Sequence, residues 1–141
     1  MLEHKAWLLK AKSDLKSAKK LFKDDDETLD TAAYHTQQCV EKALKAFLVF
    51  NHRVPPRTHD LEKLLELCVI FDQSLKFLAD EVITLIPYAI YSRYPDDYFE
   101  IYRSDVEAAI IIALKIFNLI RNKTDVKDNP NLTIFDIQDT E

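Results

Sequence analysis

The stretch that decides the fold is DTAAYHTQQCVEKALKAFLVF, residues 30–50. Its inward-facing positions are separated mostly by three or four residues, which is the spacing of residues on one face of an α-helix. These positions are Ala33, Gln37, Val40, Leu44, Phe47 and Leu48. A polar line with steps of four residues is predicted along the edge of that face: Gln37, Glu41 and Lys45. Glu41 precedes Lys45 in the order that favours an ion pair within a helix. We therefore predict one long amphipathic helix with Asp30 or Thr31 as its N-cap.

Similar helical patterns lie on both sides of this stretch. Before it, apolar residues from Leu8 to Phe22 share one face of a helix of about 20 residues. A row of lysines follows the same spacing one position later: Lys12, Lys16, Lys19 and Lys23. We interpret this row as a solvated face, and the alternative is a non-specific contact with a phosphate backbone. After the stretch, apolar repeats predict a third helix over residues 61–69 and a fourth from Leu75 to near Pro87.

The last helix is predicted from Ser104, an N-cap with Glu107 in the capping-box position, to about Arg121. Its apolar residues cover more than one side and include Ile111, Ile112 and Leu114. A helix buried on several sides in so short a chain is either the centre of the fold or part of a subunit interface. Taken together, these patterns predict an all-α protein, a four- or five-helix up-and-down bundle.

The chain of 141 residues contains no glycine, which excludes several kinds of site. Gly-rich phosphate loops and dinucleotide-binding motifs need residues without a Cβ. The longest apolar run of the last helix has seven residues, Ala108–Leu114, whereas a membrane span needs about 20, so we expect no membrane association. Cys39 and Cys68 lie in helical patterns without metal-ligand spacing, and we interpret them as reduced, buried thiols of a cytoplasmic protein.

The net charge of −5 is unevenly distributed along the chain. Residues 1–123 hold 18 Lys and Arg against 19 Asp and Glu, whereas residues 124–141 hold one lysine against five acids. The body therefore lacks the overall positive charge that draws a whole protein onto nucleic acid. We interpret residues 1–123 as one helical domain and residues 124–141 as an acidic, mobile C-terminal tail.

Residues 51–60 concentrate reactive side chains on a loop that two prolines keep out of a helix. The basic members of this segment are His52, Arg53, Arg57 and His59. Arg binds phosphate through a planar fork, and His moves protons near neutral pH. The alternative is that Thr58 and Asp60 cap the next helix while the basic side chains are solvated.

A second reactive segment is Arg93-Tyr94-Pro95-Asp96, which lies in a tyrosine-rich region before the last helix. Here the alternative is that Arg93 pairs with an acid such as Glu41 and Tyr94 packs on the bundle. The four histidines of the chain share no ligand spacing and no HExxH pattern is present. We therefore expect no metal and no other cofactor.

Three ordered motifs resemble one known family. Residues 34–46, YHTQQCVEKALKA, resemble the second-helix signature of HEPN domains, small helical bundles named for higher eukaryotes and prokaryotes nucleotide-binding. Thr58-His59-Asp60-Leu61 is similar to the start of helix three of that domain, and Arg93-Tyr94-Pro95 is similar to its "RYP" loop before the final helix. The resemblance covers about residues 3–122.

The resemblance implies a bundle that usually forms a homodimer and works beside a minimal nucleotidyltransferase, commonly as a toxin–antitoxin pair. Many family members are metal-independent ribonucleases, in which an Arg and a His separated by four to six residues precede the last helix. Here Tyr98, Phe99 and Glu100 occupy those positions after Arg93, and no His follows His59. This departure favours a member that binds without catalysing.

We therefore expect a module that binds a nucleotide, an RNA or a nucleotidyltransferase partner and has no catalysis of its own. The candidate binding residues are Arg93, Tyr94, Glu41, Lys45, Arg57, His59 and Asp60. The alternative is a metal-independent HEPN ribonuclease toxin that uses either Arg93 or the pair Arg53 and His59, which have five residues between them. A third hypothesis is a purely structural interaction module, in which these polar residues only stabilise the fold.

Overall fold

The computed structural model describes residues 3–91 and 100–125. This part of the chain forms five α-helices and no strand, as the sequence predicts: α1 His4–Asp24, α2 Leu29–Phe50, α3 Leu61–Phe71, α4 Ala79–Tyr91 and α5 Arg103–Thr124. Two short 3-10 helices, Asp26–Thr28 and Gln73–Leu78, precede α2 and α4. None of the helices in the described ranges combines the length and the apolar character that crossing a membrane requires.

The centre of the fold is α2, which packs against each of the other four helices. Fifteen of its 22 residues are buried, against seven of 22 in α5. Of the two alternatives for α5, the centre of the fold or a subunit interface, the first is therefore wrong. The outer face of α5 leaves Ile111 59% exposed. Arg103, at the start of α5, donates to the carbonyl oxygen of Phe22 at 2.7 Å and pairs with Asp26 at 2.9 Å, so α5 starts beside the end of α1.

Both cysteines lie in the main hydrophobic core, as predicted, and neither forms a disulfide. The Sγ of Cys68 lies 3.4 Å from the carbonyl oxygen of Leu44 on α2. Burial raises the pKa of each thiol to about 12. Both side chains are therefore protonated packing groups at neutral pH, and neither is a reactive thiolate.

Several helix ends differ from the prediction. The chain enters α2 at Leu29, so Asp30 is already inside the helix, where its carboxylate accepts from the backbone N–H of Thr31 at 2.8 Å. The N-cap of α3, by contrast, is Asp60, one of the two caps that the alternative interpretation of residues 51–60 names. Its carboxylate accepts from the backbone N–H of Lys63 at 3.2 Å. The N-cap of α5 is Tyr102 rather than Ser104.

The fourth predicted helix also has different limits. Its first part, from Leu75, belongs to the 3-10 helix Gln73–Leu78, and α4 begins only at Ala79. The helix continues past Pro87 to Tyr91. Pro87 has no N–H to donate to an earlier carbonyl, but its neighbours Ile86 and Tyr88 pack against the main hydrophobic core.

The turn that ends α2 directs the chain towards α1. Arg53 donates its backbone N–H to the carbonyl oxygen of Leu48 at 2.9 Å, and His52 donates to Val49 at 3.0 Å. These two bonds form a Schellman motif, which places the residue after the cap in the left-handed region. That residue is usually glycine; here it is His52, with φ at 62°. The following residues are thereby brought back over the end of α2.

Candidate functional site

A cavity of about 450 Å³ lies between α1, the second half of α2 and residues 52–57. Trp7 contributes from α1, Lys45 and Val49 from α2, and the remaining lining residues come from the loop: His52, Arg53, Val54, Pro55, Pro56 and Arg57. The volume is in the range of small-molecule sites, about 300–1,000 Å³. The cavity is therefore large enough for a ligand the size of a nucleotide.

The lining combines an apolar and aromatic surface with positive charge. Trp7, Val49, Val54 and the two prolines provide the apolar part, and Lys45, Arg53 and Arg57 provide the cations. Among the described residues that line the cavity none is acidic. The ammonium of Lys45 lies 5.6 Å from the centre of the Trp7 ring, a cation–π distance. Such a lining can accept an anion that carries a flat ring.

A buried carboxylate, that of Glu41, lies one turn before Lys45 on α2. Its Oε2 is 3.2 Å from the Nζ of Lys45, and its Oε1 is 2.9 Å from the Nδ1 of His59. The Glu41 side chain is 4% exposed and the Lys45 side chain 8%, whereas His59 is 66% exposed. One carboxylate therefore holds both a cation of the cavity and an exposed imidazole.

Residues 51–60 fold back over the polar line of α2. Gln37 donates through Nε2 to the backbone carbonyl of His59 at 3.4 Å, and Gln38 donates to Gln37 at 2.7 Å. Gln37, Glu41 and Lys45 are consequently buried. Glu41 and Lys45 were predicted only at the edge of the helix face, and they become part of the interior because the loop covers them.

The structure brings together several of the residues that the sequence singled out. Lys45, Arg53 and Arg57 line one cavity, and His59 reaches it indirectly through Glu41. Asp60 caps α3 with its side chain, as the alternative interpretation of the loop held. The predicted binding residues Arg93 and Tyr94 lie outside the described residues.

Sequence reasoning missed Trp7. It stands more than 40 positions before the loop, and only the packing of α1 on α2 brings the two together. One signal was available: Trp7 is the single tryptophan of the chain, and it does not belong to the Leu8–Phe22 repeat that forms the buried face.

A second charged cluster, also missed, joins α1 to α2. Asp14 lies 2.8 Å from the Nδ1 of His35 and accepts from the Nζ of Lys42 at 2.6 Å. Its side chain is nearly buried between Ala11 and Ala18. The signal in the sequence was the position of Asp14, an acidic residue beside the predicted apolar face of a lysine-rich helix. Within the ranges that the structure describes, no group of three or more His, Cys, Asp or Glu residues is placed to hold a metal ion.

These elements define an all-α helical bundle with a cationic cavity at the end of its central helix. Residues 4–123 match the family model of the HEPN domain. Because this match covers most of the chain, the chain belongs to the HEPN domain family.

Known proteins resemble this chain over most of its length. A protein of Methanocaldococcus jannaschii named "Putative toxin MJ1304" is 28% identical over 134 residues, covering 84% of this chain and 86% of that protein. The crystal structure of ST0689, an archaeal HEPN homologue, is 25% identical, with a TM-score of 0.65 over 89% of this chain and 100% of that chain. The crystal structure of TT1696 from Thermus thermophilus shares the fold at 24% identity and a TM-score of 0.68, over 87% and 99% of the two chains.

Proposed function

We propose that this HEPN chain is the binding member of a toxin–antitoxin-type pair, and that it takes a nucleotide in the cavity between α1 and residues 52–57. In this proposal the base stacks on Trp7 while Arg53 and Arg57 contact the phosphates. Glu41 is a positioning residue that holds Lys45 at the floor of the cavity. The proposal includes no catalytic step.

The observation that carries this proposal is the composition of the cavity lining. Aromatic and proline surfaces lie beside three cations, and no described lining residue is acidic. Guanidinium groups match phosphate oxygens in pairs, and an indole offers a stacking surface to any base. Arg53 and Arg57 are exposed, so a ligand can reach them without displacing a salt bridge among the described residues.

The proposed partner and assembly rest on the family. The resemblance to HEPN domains implies a minimal nucleotidyltransferase partner and a dimer, and one relative of this chain bears the name of a toxin. We extend both properties to this chain: a homodimer in solution, and a nucleotidyltransferase partner. Arg93 and Tyr94 remain proposed contacts for that partner or for the nucleotide.

Isothermal titration with ATP, GTP and AMP tests the nucleotide proposal. We expect saturable binding to the wild-type protein and a loss of about tenfold or more in affinity for Arg53→Gln/Arg57→Gln, because each charged hydrogen bond contributes about 1.5–3 kcal/mol. Arg93→Ala shows in the same titration whether Arg93 contributes. Lys63→Gln/Lys76→Gln, which alters two exposed cations that do not line the cavity, is the matched control. Equal affinities for the wild type and Arg53→Gln/Arg57→Gln would contradict the proposal.

A second candidate function, metal-independent RNA cleavage, is favoured by one observation. His59 is exposed, and its Nδ1 lies 2.9 Å from a buried carboxylate, an arrangement that orients an imidazole for proton transfer. Labelled RNA incubated with the protein in EDTA tests this function. Cleavage that His59→Ala abolishes would replace the binding proposal, whereas RNA that stays intact with the wild-type protein would remove this candidate.

A further inference from the structure

We propose that the row of lysines on the outer face of α1 binds the phosphate backbone of single-stranded nucleic acid. The row consists of Lys5, Lys12, Lys16, Lys19 and Lys23. This surface is separate from the cavity, so the proposal does not depend on the proposed nucleotide site.

Helix geometry aligns these five side chains. At 3.6 residues per turn they fall within about 60° of one another around the axis of α1, and they extend over about 27 Å. From Lys12 to Lys23 successive lysines are about 4.5–6 Å apart along the axis. Each of the five is exposed. The row is therefore a straight line of accessible cations, and a flexible polyanion can follow it.

Among the described residues, no ion pair neutralises the lysines of this face. The helix His4–Asp24 contains seven lysines and two aspartates, a balance of +5 in a chain whose net charge is −5. No lysine of α1 forms an ion pair with a residue in the described part of the chain. Asp14 turns inward and is bound by Lys42 and His35 of α2, so its charge is compensated away from the row.

The arrangement works against the stability of the helix itself. Lys12 and Lys16, like Lys19 and Lys23, are like-charged pairs four residues apart, which destabilise a helix by about 0.2–0.5 kcal/mol each. Lys5 stands in the first turn, where no acid is present and where the helix dipole disfavours a cation. A bound polyanion would remove both penalties. The row thus has the electrostatic properties of a binding surface for negative charge.

The row faces away from the nucleotide cavity. Trp7 and Asp14 point towards α2, as their contacts with Lys45 and Lys42 show. The helical repeat places the row about 150° from Trp7 around the axis. The two surfaces therefore lie on different flanks of α1.

Nucleic acid fits this surface better than an acidic protein does. Protein interfaces have apolar centres and are depleted of lysine, whereas Leu9 is the single large apolar side chain of α1 that is strongly exposed among the described residues. Lysine binds phosphate as a point charge, without the fixed geometry of arginine, and this suits contacts that do not depend on sequence.

Fluorescence anisotropy with a labelled oligouridylate, measured over a series of salt concentrations, tests the proposal. Each phosphate neutralised on a single strand contributes about −0.7 to the slope of log Kobs against log salt. Five lysines predict a slope of about −3.5, and Lys16→Gln/Lys19→Gln should reduce its magnitude by about 1.4. Because a polyanion relieves the like-charge repulsion, the oligonucleotide should also raise the Tm of the wild-type protein more than that of this variant.

The control is Lys63→Gln/Lys76→Gln, which removes the same net charge from exposed positions outside α1 and should leave the slope unchanged. Arg53→Gln/Arg57→Gln should keep the slope as well, which separates this surface from the cavity. Three results would each overturn the proposal: no measurable binding at low salt, equal losses in the two lysine variants, or equal competition by polyglutamate of the same length.

Discussion

Glu41 shows how one buried residue can position other residues of the candidate site. Its carboxylate holds Lys45 on one oxygen and His59 on the other, and it is nearly inaccessible to solvent. A buried charge is tolerated only when partners compensate for its desolvation. Glu41 therefore fixes the cation on the cavity floor and ties the loop to α2 through the same group.

Replacing Glu41 should destabilise the fold. In Glu41→Leu the ammonium of Lys45 remains buried but loses its counter-ion. Removing one partner of a buried ion pair lowers the free energy of unfolding by about 3–5 kcal/mol. The double variant Glu41→Leu/Lys45→Met removes both charges at similar volume and should recover most of that loss. Urea unfolding measures both variants. An unfolding free energy of Glu41→Leu within about 0.5 kcal/mol of the wild type, the range of surface changes, would show that the contact is not stabilising.

His52 has the left-handed conformation that a glycine would normally adopt. An L-residue is disfavoured there by roughly 1–2 kcal/mol because its Cβ approaches the following carbonyl. We expect His52→Gly to be more stable than His52→Ala by about 1 kcal/mol, since both remove the imidazole and only glycine removes the Cβ. Denaturant unfolding of the two variants compares them directly. Equal stability would mean that the turn relaxes away from φ near 62°.

At this scale the sequence identified the charged residues of the site and missed the aromatic one. Arg53, Arg57 and Lys45 stand out because their chemistry is visible in the residue type. Trp7 does not, since its position beside them depends on the packing of two helices. The burial of Glu41 was equally hidden, because the loop that covers it follows α2 in the chain and its path depends on the positive φ of His52.

At the scale of the helices, one ion pair connects α5 to Asp72, the residue between α3 and the 3-10 helix Gln73–Leu78. Lys123 donates to Asp72 at 2.7 Å and also lies 3.3 Å from the Oγ of Ser74. The hydrogen bond from Lys123, followed by that from Ser74, lowers the pKa of Asp72 below its ordinary value of 3.8. The carboxylate form is therefore preferred in the folded protein.

This shift predicts a pH dependence with a defined sign. Because the folded pKa of Asp72 is the lower one, its contribution to stability is present above the unfolded value and disappears as the pH falls through the folded value. Wild type should be more stable than Asp72→Asn at pH 7, and the difference should shrink below pH 3.8. Urea unfolding of both proteins across this range measures it, with Lys123→Met as a control for the same contact. A difference that does not change with pH would contradict this account.

The helices themselves were largely predictable and their ends were not. Apolar repeats located α1, α2 and α3 because core packing selects one face of each helix. The ends depend on local hydrogen bonds that compete closely. At the start of α5 the N-cap is Tyr102 rather than Ser104, and Tyr102 donates its backbone N–H to the carboxylate of Asp105 at 3.0 Å. Pro87 predicted the end of the fourth helix. Ile86 and Tyr88 on either side of it pack against the core, and α4 continues to Tyr91.

Over the whole molecule, two cationic surfaces lie on different flanks of α1. The flank of α1 that faces α2 contributes Trp7 to the cavity, and the outer flank carries the lysine row. A chain with net charge −5 thus presents two cationic surfaces. The division follows from the period of the helix, which separates Trp7 from Lys12 and Lys16 although they are close in sequence.

The central claim is that a nucleotide binds in the cavity beside Trp7, and the fluorescence of Trp7 tests it most directly because the chain has no other tryptophan. We predict that titration with ATP quenches this emission to a plateau, with a midpoint equal to the Kd from calorimetry. In Arg53→Gln/Arg57→Gln the midpoint should move to at least about tenfold higher concentration. An emission that stays constant while calorimetry records binding would place the nucleotide elsewhere and contradict the account.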